Sequence, residues 1–215
     1  MKILTAFDLK ILALLTMIID HFGLMFYPDM FSFRIIGRVA LVLYAFLLVE
    51  GFYHTKNFRK YISKVFIWAI ISEVPYDLAM SGKFFNWQDQ NIFFSLLFGL
   101  AGIYLMKFYN KMIIKMLVML FFLSAAVILH VDYSWYGIAL IFAFYNFRDN
   151  VQVKLIAIEA ISMMASFKIL IIQFFAFLGF IPILMYSGKK GKRIGDIYYS
   201  FYALHLLLFS IIKYA

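Results

Sequence analysis

The chain has 215 residues, of which 66% are hydrophobic and only 14% charged, and it contains no cysteine. A soluble domain carries about 25% charged residues, so there is too little polar surface here to cover a body in water, and lipid is the expected solvent. The missing cysteines exclude disulfides, thiolate nucleophiles and thiolate metal sites, and the net charge of +9 is expected to orient the chain in a bilayer rather than to bind nucleic acid.

Apolar runs mark nine candidate spans at about 9–27, 33–53, 61–79, 91–109, 113–130, 133–147, 152–167, 169–186 and 196–213. A helix of about 20 residues crosses the hydrocarbon core, so nine spans with short loops use the whole chain and leave no soluble domain. The expected architecture is all-α: one membrane-embedded domain, residues 1–215, folded as a polytopic transmembrane helix bundle in the cell membrane. The first run contains Asp20 and His21 and lacks a small-residue cleavage site, so it is expected to be a span and not a cleaved signal. The sixth and seventh runs are short, and Lys168 alone marks the turn between the seventh and eighth. No internal repeat is visible, which gives an inverted-repeat transporter no support.

The basic residues test this segmentation. With the N-terminus inside, the cytosolic loops and helix ends carry Lys2 and Lys10, then Lys56, Arg59, Lys60 and Lys64, then Lys107, Lys111 and Lys115, then Arg148 and Lys154, then Lys189, Lys190, Lys192 and Arg193. That is 15 of the 20 Lys and Arg. Cytosolic loops are enriched in Lys and Arg, so the N-terminus is expected inside and the C-terminus outside. A miscounted helix would flip the later loops and destroy the bias.

A charge in the bilayer costs several kcal/mol unless paired or hydrated, so each intramembrane ionisable group is a functional candidate. Asp20 and His21 lie in the outer half of the first span, and Arg34 and Arg38 at the outer end of the second. Glu73 and Asp77 lie in the outer half of the third, and Asn91 opens the fourth on the same side. Arg34/Arg38 and Glu73/Asp77 are each spaced i,i+4, one face per pair, so guanidinium–carboxylate forks could join them. These groups are expected to converge in one polar cavity. The bland alternative is a set of structural ion pairs. His21 differs, because an imidazole carries no obligatory charge at neutral pH and is the side chain best suited to moving a proton there.

Glu50 and His54 form an i,i+4 pair near the inner end of the second span, either a wet vestibule or a helix-end pair. His205 continues a polar stripe with Tyr198 and Tyr202, Glu159 has no nameable partner, and the other aromatics are read as packing and interface residues. The four histidines show no ligand spacing, so no metal is expected. There is also no GxSxG elbow, Walker loop or dinucleotide fingerprint.

The strings LTAFDLKILALLTMIIDHFG, FRIIGRVALVLYAFLLVEGFYHTKN, ISEVPYDLA and QNIFFSLLFGL, with YYSFYALHLLL near the C-terminus, resemble the TraX family of membrane acetyltransferases. That family is grouped with the acyltransferase-three type membrane enzymes, which carry a basic residue, ten intervening residues and a histidine on the first helix. Lys10 and His21 match this pattern. Eleven residues at about 100° each come within about 20° of three full turns and rise about 16 Å, so both side chains share one face, at opposite depths. The broader family's enzymes are longer, so its other binding residues do not carry over.

The resemblance implies an acetyltransferase that uses acetyl-CoA as co-substrate and no metal, with an amine or hydroxyl acceptor on a pilin-like subunit or another cell-surface molecule. His21 would be the general base, with Asp20 or Glu73 as its supporting carboxylate. Arg34, Arg38, Asp77, Asn91 and His205 would serve the substrate or the developing oxyanion. Lys10, with Glu50 and His54 at the same depth, would face the CoA end. Two other classes remain: a small proton-coupled transporter using the same ion pairs as a relay, and a non-catalytic assembly factor.

Overall fold

A computed structural model describes residues 2–168 and 171–214. It is all-α. In chain order the helices are α1 (Ala6–Phe26), α2 (Phe31–His54), α3 (Phe58–Ser81), α4 (Ile92–Met106), α5 (Met112–Ile128), α6 (Ser134–Asn146) and α7 (Val151–Lys168). A 3₁₀ segment, Ile171–Gly179, then runs into α8 (Phe180–Leu184), and α9 (Ile197–Tyr214) closes the chain. The turn expected just after Lys168 falls at residues 169–170, outside the described residues. Among the described residues α1, α2 and α9 are long and apolar enough to cross a membrane, while α4, α5 and the 172–184 stretch are shorter apolar helices.

Local chemistry explains where the helices begin. Thr5 caps α1 and forms a capping box with Asp8, whose carboxylate accepts from the Thr5 N–H and hydroxyl. The acidic residue at the start of an apolar helix is thereby satisfied. Asn91 caps α4 by accepting from the Phe93 N–H.

Successive helices alternate in direction, which gathers the chain's polar connections at two ends. At one end the N-terminal stretch is hydrogen-bonded to the segment after α8: Ile3 and Leu4 donate to the Met185 carbonyl, Ala6 to Lys189 and Phe7 to Lys190. Glu50 meets Arg148 there, and Lys64 pairs with Asp196. At the other end the Gln90 N–H donates to the His130 carbonyl and the Asp132 N–H to the Gln90 carbonyl, bracketing Val131, and Phe22 and Phe26 of α1 meet Phe209 of α9 edge-on.

The packing order places the site. Helix α1 packs on α2, α2 on α4, α4 on α3, α3 on α9 and α9 back on α1, which closes a five-helix ring. Helix α6 packs against both α2 and α4, α5 covers α4 and α6, and the 3₁₀ segment lies between α2 and α7. The buried core runs along α2 and α6, where Leu43, Ile138 and Leu140 are fully enclosed. By contrast α5 exposes Met112, Leu117, Leu120 and Phe121, an apolar face suited to lipid.

The alternation fixes relative sidedness. Reporter fusions at residue 2 and at Gly188 are expected on one side of the membrane, and a fusion after the last residue on the opposite side. Fusions at Gly188 and at the C-terminus that read the same side would show that one pass is miscounted.

Candidate functional site

The five-helix ring encloses an elongated cavity of about 140 Å³. Lys10, Met17, Asp20 and His21 of α1 line it along its length, opposite residues of α2, α3, α4 and α9. Lys10 and His21 are separated by three helical turns, about 16 Å, and border the same space. Six tyrosines also line it: Tyr44, Tyr61, Tyr133, Tyr198, Tyr199 and Tyr202. The hydroxyls of Tyr198 and Tyr202 are buried and have no hydrogen-bond partner among the described residues. The wall is therefore apolar in area but carries donors available to a ligand.

At the Lys10 end the ammonium sits 5.0 Å from the centre of the Tyr198 ring, a cation–π contact. The backbone bonds from Ala6 and Phe7 hold the Lys189–Lys190 stretch against the start of α1. Lys64 is close by, over Tyr199 and paired with Asp196. Several cations thus surround one end of the cavity.

At the other end the expected charges separate into two groups. Asp20, 4% exposed, is held by Arg34 Nη1 at 2.8 Å and by Arg38 Nη2 at 3.2 Å. A Cβ at Gly37 would lie 2.1 Å from Asp20 Oδ1. The glycine between the two arginines therefore lets the carboxylate rest on the α2 backbone and reach both guanidiniums. Arg38 also donates to Gln173 of the 3₁₀ segment at 3.3 Å and to the Arg34 carbonyl at 3.1 Å, and stacks over Tyr133.

Glu73 and Asp77 do not join this cluster. Glu73 accepts from the side chain and backbone N–H of Asn91, and Asp77 from the Asn86 N–H at 2.8 Å. Helix α9 lies between α3 and α1, so the connection from α3 to α4 supplies the donors that the arginines were expected to supply. This corrects the expected single polar cluster. It also removes Glu73 as the partner of His21, and Asp20 is committed to the arginines. The group on His21 is His205: Nδ1 of His21 lies 2.7 Å from Nε2 of His205, with the rings stacked 5.0 Å apart. Glu50 and His54 do not line the cavity either. Glu50 is bonded to Arg148 Nε at 3.1 Å, His54 Nδ1 to the Glu50 carbonyl at 2.8 Å, and Arg148 stacks over Tyr53.

Sequence reasoning missed one acidic residue. Asp132, in the turn between α5 and α6, lines the cavity near its His21 end. Its N–H donates to Gln90, its carbonyl accepts from Ser95, and Oδ1 accepts from the Tyr133 N–H at 2.9 Å. The turn holds three non-glycine residues at positive φ: His130 (47°), Tyr133 (59°) and Ser134 (48°). Such conformations cost about 1–3 kcal/mol each and gather at functional sites. Burial pushes the Asp132 carboxyl up to about 7, against the pull of Arg38. An aspartate beside a turn reads in sequence as solvated, and only the strained backbone points it inward.

The TraX protein family model matches residues 7–213. The chain belongs to the TraX family. It is 29% identical to a probable fimbrial assembly protein FimC, serogroup H1, of Dichelobacter nodosus, across 97% of this chain and 96% of that protein. It is 30% identical to the uncharacterized protein RP591 of Rickettsia prowazekii, strain Madrid E, across 71% of this chain and 60% of that protein. No solved structure matches. The TraX match covers every helix of the five-helix ring, from the first turn of α1 to the end of α9.

Two variants probe this geometry. Asp20→Asn leaves the buried Arg38 and the half-buried Arg34 without their carboxylate and is expected to cost about 3–5 kcal/mol, the range for breaking a buried pair, read as a large fall in melting temperature in detergent. For Asp132 the native state holds a proton between about pH 4 and 7 that the unfolded chain has released, so this carboxyl's contribution to stability falls as pH rises through that window. Asp132→Asn keeps the acceptor for the Tyr133 N–H and is expected to flatten that part of the melting-temperature profile. A profile unchanged by the substitution would contradict the inward placement of this carboxyl.

Proposed function

We propose that this TraX family member is an integral membrane acyltransferase that moves an acetyl group from acetyl-CoA to an amine or hydroxyl of an acceptor at or beyond the far face of the membrane. The observation that carries the reading is the one cavity bordered by Lys10 at one end and His21 at the other. Acetyl-CoA joins a polyanionic nucleotide to a thioester through an amide-bearing arm of about 15–20 Å, the reach of about five extended residues. Lys10 and the Lys189–Lys190 stretch fit the anionic end. The unpartnered Tyr198 and Tyr202 hydroxyls fit the amides, and the length from Lys10 to His21 fits the arm. The excess of Lys and Arg at the Lys10 end supports a cytosolic donor entrance.

His21 is the general base in this scheme. The acceptor nitrogen or oxygen attacks the thioester carbonyl as His21 takes its proton. The new C–N or C–O bond forms, the C–S bond breaks, and the proton passes to the departing sulfur to give free CoA. Arg34 and Arg38, held by Asp20, give this end of the cavity a net positive field that favours the oxyanion formed at the carbonyl. The acyl group crosses the membrane while the nucleotide does not. A pilin-like acceptor is supported by the name of the Dichelobacter relative. The same name also favours a second reading, a non-catalytic role in fimbrial assembly, which leaves His21 without a chemical task.

The test uses purified full-length protein. Lys10→Glu is expected to weaken CoA binding by about tenfold or more, the effect of about 1.4 kcal/mol. His21→Ala is expected to spare that binding and to lower acetyl transfer to a fimbrial subunit or surface-glycan acceptor by about 10²–10⁴-fold. CoA binding indifferent to Lys10→Glu would overturn the donor path. Fimbriation that persists with His21→Ala would favour the assembly reading.

A further inference from the structure

The two imidazoles form a directed hydrogen-bond chain. His205 Nδ1 lies 2.8 Å from the Phe201 carbonyl one turn back on α9. A carbonyl oxygen only accepts, so Nδ1 of His205 carries a proton. A neutral imidazole has one donor and one acceptor nitrogen, which leaves Nε2 of His205 as an acceptor. The 2.7 Å contact between that Nε2 and Nδ1 of His21 then needs its proton on His21. Protonating His205 instead would place an unpaired cation against His21, the residue next to Asp20, in an apolar interior where such a charge is costly.

We infer that His205 is the positioning residue of the site: it holds His21 as the Nδ1–H tautomer and leaves Nε2 of His21 as the one lone pair able to act as a base. The inference rests on the acyltransferase reading for its consequence, not for its geometry. The same task falls to a carboxylate in many hydrolytic triads. A neutral acceptor suits this site because the nearby carboxylate is committed to two arginines. Packing fixes the ring of His205. Phe201 stacks on it at 5.9 Å, and Phe209 and Tyr202 meet it edge-on at 5.7 Å, while Tyr202 also meets His21 edge-on at 5.9 Å. The spacing of Phe201, His205 and Phe209 puts all three on one face of α9.

The dyad also handles the proton of the transfer step. When the acceptor's proton reaches Nε2 of His21, the imidazolium's Nδ1–H points at Nε2 of His205, and the charge spreads over two rings. His205 has no onward acceptor, since its other nitrogen donates to a carbonyl. The proton therefore leaves by the way it came, from Nε2 of His21 to the sulfur as the C–S bond breaks. No further co-reactant is needed.

The experiment reads the tautomer directly, by ¹⁵N NMR of the imidazoles in purified full-length protein. The four histidines keep the spectrum simple, and His21→Gln assigns the His21 signals. The expected result above neutral pH is a protonated Nδ1 and a bare Nε2 on His21, lost in His205→Leu, where His21 reverts to the Nε2–H form that free imidazoles favour. His205→Gln presents an amide oxygen where Nε2 was and is expected to keep the Nδ1–H form. In acetyl transfer, His205→Leu is expected to lower kcat by about 10²-fold or more, within the range for general acid–base groups, with the KM for acetyl-CoA unchanged. His205→Gln is expected to recover at least about tenfold of that loss. An Nε2–H tautomer in the unmodified protein, or one that ignores His205→Leu, overturns the inference even if transfer is observed. The expected tautomer in a protein that transfers nothing upholds the dyad and rejects the acyltransferase reading.

Discussion

The contact between Asp20 and the two arginines of α2 is the constraint on which the rest of the site depends. It joins α1 to α2, the most extensively packed pair in the ring, and it does so at a glycine where no side chain keeps the carboxylate from the backbone. Three charges in an apolar interior are tolerable only if each finds its partner. The geometry that satisfies them therefore fixes the rotation of α1. His21 is the next residue, about 100° further round, and so is aimed away from α2 toward α9. Lys10 shares the face of His21 three turns away, so the same rotation turns both toward the cavity.

Helix α9 completes what α1 begins. It closes the ring between α1 and α3, supplies His205 to His21 and lines the cavity with Tyr198, Tyr199 and Tyr202. Its insertion separates Glu73 and Asp77 from α1, while α4 stands between α3 and the arginines of α2. The two carboxylates of α3 stabilise the α3–α4 connection through Asn91 and Asn86, and that connection pins the strained turn carrying Asp132. The charged residues at the His21 end of the bundle thus divide into a group that orients α1 and a group that holds the turn beside the cavity.

Much of this was legible in the sequence because lipid imposes simple rules. Long apolar runs broken by basic loops placed the helices close to their observed bounds, and even the short sixth run is a helix, Ser134–Asn146. His21 was legible as an imidazole in an apolar helix, and Lys10 through the resemblance to the acyltransferase-three type pattern, with the spacing putting both on one face. His205 was visible as a polar residue in an apolar helix, but not as the partner of His21, which precedes it by 184 residues. No local pattern carries a pairing set by ring closure. Glu73 was misassigned for the same reason: its depth matched the arginines, and depth does not reveal which helix stands between. Asp132 escaped notice because its inward direction comes from three positive φ angles in non-glycine residues, which composition does not announce.

The central claim is that one passage joins the basic end of the bundle to His21. An experimental structure of the full-length protein with an unreactive thioether analogue of acetyl-CoA tests it most directly. The account predicts the nucleotide phosphates beside Lys10, the arm along Tyr198 and Tyr202, and the acyl carbon close enough to Nε2 of His21 for an acceptor atom to bridge them, with contacts of about 3–3.5 Å. An analogue bound outside the five-helix ring, or one entering from the His21 end with Lys10 untouched, would contradict it.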